Sequence, residues 1–136
     1  MQDDDRIKAL SPPGMAAPLA RYAHGVLHPP SGLILTSGQL SIAEDGTVPQ
    51  GPKAQAKLIF QNIEKILLSG GSGKAGVLRI NAYVTDRAHM AGYMSARDAW
   101  LADVPHLPAS TLMIVSGFTR PDFLVEIEVA AMQLNR

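Results

Sequence analysis

The sequence contains no cysteine. The chain therefore forms no disulfides, thiolate nucleophiles or zinc–thiolate sites, which fits a reducing compartment. Lys and Arg together number 12, as do Asp and Glu, so the formal net charge at pH 7 is zero; aromatic residues make up only 5%. Nucleic-acid binders need basic fields and stacking aromatics. We therefore expect no nucleic-acid partner.

Long apolar runs are also lacking, since none approaches the roughly 18 residues that a membrane-spanning helix needs. The chain opens with Met-Gln-Asp-Asp-Asp-Arg, an acidic start unlike a signal peptide. The histidines do not have the spacing typical of metal ligands (His24, His28, His89 and His106). We expect a cytoplasmic protein that does not bind a membrane, with no metal site and no cofactor.

The chain has 136 residues, of which 46% are hydrophobic and 18% charged, which is typical of one soluble domain spanning residues 1–136. Prolines make residues 1–20 irregular. Periodicity and turn residues predict the order β-β-helix-β-helix-β-β. The predicted strands are 22–28, 32–37, 77–85, 111–116 and 124–132, and the predicted helices run from Pro52 to the glycine-rich stretch 69–73 and from an N-cap at Asp86 to before Pro105.

Two of these strands alternate between an apolar and a mixed face. Leu78, Ile80, Ala82 and Val84 alternate with polar residues in the third strand, as do Val125, Ile127 and Val129 in the last strand. The second helix should carry an apolar stripe that includes Met94 and Trp100. Two amphipathic helices can cover only one face of a sheet. We expect the other face, with Arg79, Tyr83, Glu126 and Glu128, to meet a partner subunit or a ligand.

Six motifs occur in an order and spacing that resemble the Rid (YjgF, reactive-intermediate deaminase) family, from about Tyr22 to Met132. They are Ser37-Gly38-Gln39, Asp45-Gly46, Gln61-Asn62-Ile63, Val84-Thr85-Asp86, Pro108-Ala109 and Val125-Glu126-Ile127-Glu128. The resemblance implies a chorismate-mutase-like α+β fold with two helices on one face of the sheet. It also implies a homotrimer with small-molecule clefts at the subunit boundaries.

The same resemblance implies hydrolysis of reactive enamines or imines, such as 2-aminoacrylate, to a keto acid and ammonia. Residue by residue, it makes Glu126 the catalytic group that positions or activates water. It places Tyr22, Ser37 and Gly38 in the substrate pocket.

Ser110 departs from the pattern, because deaminating members have at this position an Arg that holds the substrate carboxylate. Removing one partner of a buried charge pair costs roughly 2–5 kcal/mol. Either another cation replaces that Arg, or Ser110 belongs to a pocket for a neutral or differently shaped ligand. The candidate cations are Arg21, Arg79, Arg97 and Arg120, of which Arg79 is attractive because it lies on the mixed face.

Each assignment has an alternative. Glu126 could be a solvated strand residue or an interface salt bridge, and Ser110 a strand-start hydroxyl. Arg79 could bind a carboxylate or, as we slightly favour, pair with Glu126 or Glu128 across strands. The main hypothesis is an enamine or imine hydrolase that does not act on 2-aminoacrylate. The alternative is a non-catalytic trimer that binds a small ligand on the same fold.

Overall fold

Residues 6–134 are described in a computed structural model of the chain, and within this range they form six strands and two α-helices. The strands are β1 (Lys8–Leu10), β2 (Gly25–His28), β3 (Leu33–Thr36), β4 (Val77–Val84), β5 (Ala109–Ile114) and β6 (Val125–Met132). The helices are α1 (Pro52–Ser69) and α2 (Met90–Trp100), with short 3₁₀ turns at Lys74–Gly76 and Arg87–His89. The predicted order is confirmed, apart from one additional strand at the start.

The strands form one mixed sheet in the order β1-β2-β3-β6-β4-β5. All neighbouring strands are antiparallel except β4 and β5, which run parallel with α2 in the connection between them. A parallel pair needs such a crossover, because a tight turn cannot reverse the chain twice. β6 therefore lies between β3 and β4, in the middle of the sheet.

Helix α1 supplies most of the layer that covers the sheet. Pro52 starts it, where the missing N–H of proline costs nothing, and Gly71 follows its end with a φ of 83° that glycine tolerates. One stripe of α1 is buried, as its spacing predicts. It consists of Gln55, Ala56, Ile59, Phe60, Asn62, Ile63, Ile66 and Leu67.

Helix α2 packs against α1 through aromatic rings. The ring centroids of Phe60 and Trp100 are 4.7 Å apart, and those of Phe60 and Tyr93 are 6.1 Å apart. Asp86 caps the turn that leads into α2, since its Oδ1 accepts a hydrogen bond from the Ala88 N–H at 2.8 Å. The predicted stripe is confirmed at Tyr93 and Trp100, which are buried with Ala96, and was wrong at Met94, which is 38% exposed.

A β-bulge in β4 changes the predicted face of Leu78. Val77 pairs with Ala131 and Arg79 with the adjacent Ala130, so Leu78 is the extra residue of the bulge. Val77 is therefore buried, whereas Leu78 is 51% exposed. From Ile80 onward the predicted alternation is confirmed.

Three boundaries also differ from the prediction. Residues 8–10, expected to be irregular, pair with β2 as a short edge strand. The strand predicted from Tyr22 begins at Gly25, and the strand predicted from Thr111 begins at Ala109. These differences lie at strand ends, where pairing with a neighbour decides the extent of a strand.

The two faces of the sheet differ in burial. Ile80, Val125 and Ile127 point toward the helices and are fully buried. The opposite face has no covering layer from residues 6–134, and it exposes Leu35 and Met113. The fold is thus α+β with both helices on one face, as predicted. No helix among these residues has the length and apolar character needed to cross a bilayer.

Candidate functional site

A hollow of about 580 Å³ lies on the uncovered side of the sheet, beside the start of β6. It brings together four of the predicted site residues, namely Tyr22, Ser37, Gly38 and Glu126. Leu19, Ala20, Leu40 and Thr119 complete its lining. We call this hollow the Glu126 pocket.

The segment after β3 is held beside β6 by backbone pairing. The Gln39 N–H donates to the Ile127 carbonyl at 2.7 Å, and the Ile127 N–H donates to the Gln39 carbonyl at 3.2 Å. This pairing presses Gly38 against the neighbouring Glu126 side chain. A Cβ at position 38 would lie only 2.9 Å from Glu126 Cδ and would collide with its carboxylate oxygen. Glycine therefore permits this close approach, and any side chain at position 38 would have to displace the Glu126 carboxyl group.

Ser37 and Tyr22 hold the wall of the pocket. The Ser37 hydroxyl donates to the Ala23 carbonyl at 2.6 Å, and its oxygen keeps lone pairs that can accept from a ligand. Tyr22 is 44% exposed, and its phenol oxygen accepts from the Leu19 N–H at 3.3 Å. The ring therefore has a fixed position and still faces solvent.

His24 braces this wall from behind, a role that the sequence did not reveal. It is only 9% exposed. Its Nε2 lies 2.8 Å from the Ala16 carbonyl and its Nδ1 lies 3.3 Å from the Gln39 amide nitrogen. The tautomer with hydrogen on Nε2 satisfies both contacts. The sequence pointed to this contact only through Gln39, which belongs to one of the six motifs.

A small cavity of about 30 Å³ lies behind Tyr22 and Gly38. His24, Gln39 and Asn62 contribute polar atoms to its lining. A polar cavity of this size has room for one water molecule.

Glu126 has the electrostatic features of a reactive carboxyl group. Burial raises the pKa of Glu126 above its ordinary value, and the nearby Glu128 raises it further. Glu128 itself accepts from the Tyr83 hydroxyl at 2.7 Å and lies 3.5 Å from the Asn81 amide nitrogen. That hydrogen bond is the main reason that the pKa of Tyr83 is raised. Glu128 is therefore held by hydrogen bonds, whereas Glu126 faces the pocket with a raised pKa.

The structure places Arg79 away from this pocket. Its register partners are Ala130 and Ala109, and its guanidinium donates to Thr111 Oγ1 at 3.0 Å. The favoured pairing of Arg79 with Glu126 or Glu128 was therefore wrong. Glu128 lies opposite Asn81, two residues further along β4, and is held by other donors.

Ser110 lies on the opposite side of the sheet from Glu126. It pairs with Ile80, which is fully buried under the helices, so the side chains of both residues point to that side. There it lines a separate hollow of about 420 Å³ together with Arg97 and Asp98. Within one chain, Ser110 and Glu126 do not share a pocket.

The other candidate cations also lie outside the Glu126 pocket. Arg97 pairs with its neighbour Asp98, and Arg120 pairs with Asp122. None of the residues lining the pocket is Lys or Arg. Residues 6–134 also contain no group of three or more His, Cys, Asp or Glu residues that could hold a metal ion.

Comparison with known proteins gives one consistent result. The sequence model of the family described as endoribonuclease L-PSP matches residues 14–133. Yeast Mmf1 superposes with a TM-score of 0.86 at 21% identity, over 95% of this chain and all of that chain. The YjgF gene product of E. coli superposes with a TM-score of 0.85 at 24% identity, over 93% and 99% of the two chains. RidA from the Antarctic bacterium Psychrobacter sp. gives 0.83 at 25% identity, over 92% and 98%. The chain therefore belongs to the endoribonuclease L-PSP family, also known as the Rid (YjgF) family, and has its α+β fold.

Proposed function

We propose that this protein hydrolyses a small-molecule imine or enamine in the Glu126 pocket, as a cytoplasmic homotrimer whose subunits are single domains of residues 1–136. The observation that supports this most directly is a half-buried carboxyl group of raised pKa beside an open hollow. Such a group is suited to accept a proton near neutral pH. Membership of the Rid family supports the same chemistry.

The reaction consumes one water molecule. Glu126 accepts a proton from that water while the water oxygen bonds to the imine carbon. The same carboxyl group returns that proton to the nitrogen, which gives a carbinolamine. Glu126 then transfers the hydroxyl proton of the carbinolamine to the nitrogen, the carbonyl forms as the carbon–nitrogen bond breaks, and ammonia leaves. Imine and water are thus converted into a carbonyl compound and ammonia, with no net oxidation.

The pocket lining favours a neutral substrate. A substrate carboxylate needs a cation, and the lining residues of one chain provide none. Glu126 would also repel a nearby negative charge. We therefore propose an imine without a carboxylate and do not propose 2-aminoacrylate.

The uncovered sheet face supports self-association. It exposes Leu35 (46%) and Met113 (53%) beside the Tyr83–Glu128 pair. Exposed apolar side chains with a polar network between them are typical of subunit interfaces. Light scattering should give a mass of about 43.5 kDa, three times the 14.5 kDa of one chain. A stable monomer at micromolar concentration would contradict the trimer.

The test of catalysis is turnover of a panel of neutral and carboxylate imines, measured as ammonia release. Glu126→Gln should lower kcat by 100-fold or more, because general acid–base catalysis contributes about 10²–10⁴. Glu44→Gln, which removes an exposed acid outside the pocket lining, is the matched control and should leave turnover unchanged. Equal rates for wild type and Glu126→Gln would refute the proposal.

The alternative function is a trimer that binds a small ligand without converting it. The absence of Lys and Arg from the pocket lining and the position of Ser110 favour this alternative. It predicts that ligands raise the melting temperature while no imine of the panel is hydrolysed. The family description names an endoribonuclease, but a chain of zero net charge gives that activity no support.

A further inference from the structure

A groove of about 350 Å³ runs between α1 and α2, where exposed residues of the two helices meet. Its floor is apolar and consists of the stacked rings of Phe60 and Trp100 together with Ala96 and Ala99. It lies on the helix layer, whereas the Glu126 pocket opens on the uncovered side of the sheet. The groove is therefore separate from the proposed catalytic site.

The charged side chains that line this groove are all cations, while Glu64, outside the lining, accepts from the Trp100 indole N–H at 3.3 Å. Lys53, Lys57 and Lys74 line it, and no Asp or Glu does. The Lys74 ammonium already donates to the Trp100 carbonyl at 3.0 Å and pairs with Asp103 at 3.2 Å. The ammonium groups of Lys53 and Lys57 are exposed and contact no partner within residues 6–134.

These two lysines are arranged unfavourably for the helix that carries them. They lie four residues apart on one face of α1, a spacing at which like charges repel. Lys53 also lies in the first turn, where the helix dipole disfavours cations, and that turn contains no acidic residue. An anion placed between the two ammonium groups would relieve both effects.

We propose that the groove binds a small carboxylate with a short aliphatic chain. The carboxylate contacts Lys53 and Lys57, and the chain lies over Ala96, Ala99 and the edge of Trp100. The charge on the rim selects the head group, and the apolar floor selects the chain. The proposal goes beyond the hydrolytic function and does not depend on it.

Trp100 provides a direct measurement, since it is the only tryptophan of the chain and lies in the groove. Octanoate should change its fluorescence in a saturable way. Hexanoate should bind up to about fifteenfold more weakly, because each buried methylene contributes about fourfold in affinity. The neutral octanamide should bind at least threefold more weakly than octanoate, and only the binding of octanoate should weaken in high salt.

The double variant Lys53→Gln/Lys57→Gln tests the head-group contact. Exposed ion pairs are weak, so we expect a threefold to tenfold loss of octanoate affinity. Lys8→Gln, an exposed lysine on β1, is the control and should bind as wild type. Both variants should keep the wild-type melting temperature within a few degrees, since these side chains are exposed.

Three results would overturn the inference. One is an unchanged Trp100 emission at millimolar octanoate. Another is octanamide binding as tightly as octanoate, and the third is a double variant with wild-type affinity. Octanoate binding is measured by fluorescence, without turnover, and Glu126 is unchanged in every protein compared. A failed imine assay would therefore not contradict this inference.

Discussion

An alanine at position 38 would place a methyl group against the carboxyl group of Glu126. The new Cβ would lie 2.9 Å from Glu126 Cδ and 3.2 Å from Cγ, and closer still to Oε1. Favourable contacts between carbon atoms are about 3.5–4.0 Å. Cδ must therefore move by about 0.5–1 Å, and Oε1, which is closer, by more.

The cost to stability and the cost to activity should differ. Glu126 can rotate toward the open pocket, at about 0.5–1.5 kcal/mol for an unfavourable rotamer. A displacement of about 1 Å in a catalytic group, in contrast, can lower the rate about 100-fold. We thus expect Gly38→Ala to fold nearly as well as wild type and to lose most of its turnover.

Two assays separate these effects. Ammonia release measures turnover, and urea denaturation measures the free energy of unfolding. In a Glu126→Ala background the methyl group has room, so Gly38→Ala should no longer destabilise the protein. The double-mutant cycle should give a coupling energy of about 1 kcal/mol. Gly117→Ala is the matched control, because a Cβ there would meet nothing within 4 Å.

The reasoning would be refuted by a Gly38→Ala variant with wild-type turnover. It would also fail if the destabilisation were the same with and without the Glu126 carboxylate. The second result would mean that the backbone, and not the side-chain contact, requires glycine. The cycle needs no substrate, so it tests the geometry even if the protein catalyses nothing.

Thermal melts across pH should show Glu126→Gln to be more stable than wild type above about pH 4.5, the ordinary carboxyl pKa. The pKa of Glu126 is higher in the folded than in the unfolded protein, so wild type loses stability as the pH rises through the folded-state pKa. In acid, where Glu126 is protonated in both states, the difference between the two proteins should vanish. Tyr93→Phe should change the free energy of unfolding by no more than about 0.5 kcal/mol, since the buried hydroxyl makes no hydrogen bond of good geometry among residues 6–134 and interacts only weakly with Arg97 and Ser110. Tyr83→Phe should lower the free energy of unfolding by about 1 kcal/mol, because the substitution removes the hydrogen bond to Glu128. Equal effects of the Tyr83 and Tyr93 substitutions in urea denaturation would contradict this contrast. Ile63→Ala should lower the free energy of unfolding by about 2–5 kcal/mol, because Ile63 is fully buried. Leu68→Ala, on the exposed face of α1, should lower it by less than about 1 kcal/mol. Similar losses for the two variants would mean that the core is not on the assigned face of α1.

Local pattern was sufficient to predict much of the fold. The stripe of α1 and the alternation of β6 follow from the periods of helix and strand, so their buried faces could be predicted. The bulge at Leu78 could not, because Leu78 continues the apolar alternation of the sequence. Only the pairing of Val77 and Arg79 with adjacent residues of β6 turns it outward.

The candidate site was predictable where motifs carried it and not where register decided it. Gly38 and Glu126 belong to two motifs, and the structure places them in contact. Within one chain the parallel register of β5 turns Ser110 toward the helices and away from Glu126, so its place in a cleft between subunits stays a prediction. His24 could not be identified from its sequence neighbours, because both of its hydrogen-bond partners come from other segments.

Strand β5 ends the sheet with one long side unpaired by residues 6–134. Its six residues have no buried member, and its backbone N–H and C=O groups on that side are available to another strand. An isolated copy would thus be prone to pair with any extended peptide it meets. Coverage of this strand in the proposed trimer would protect the chain against aggregation.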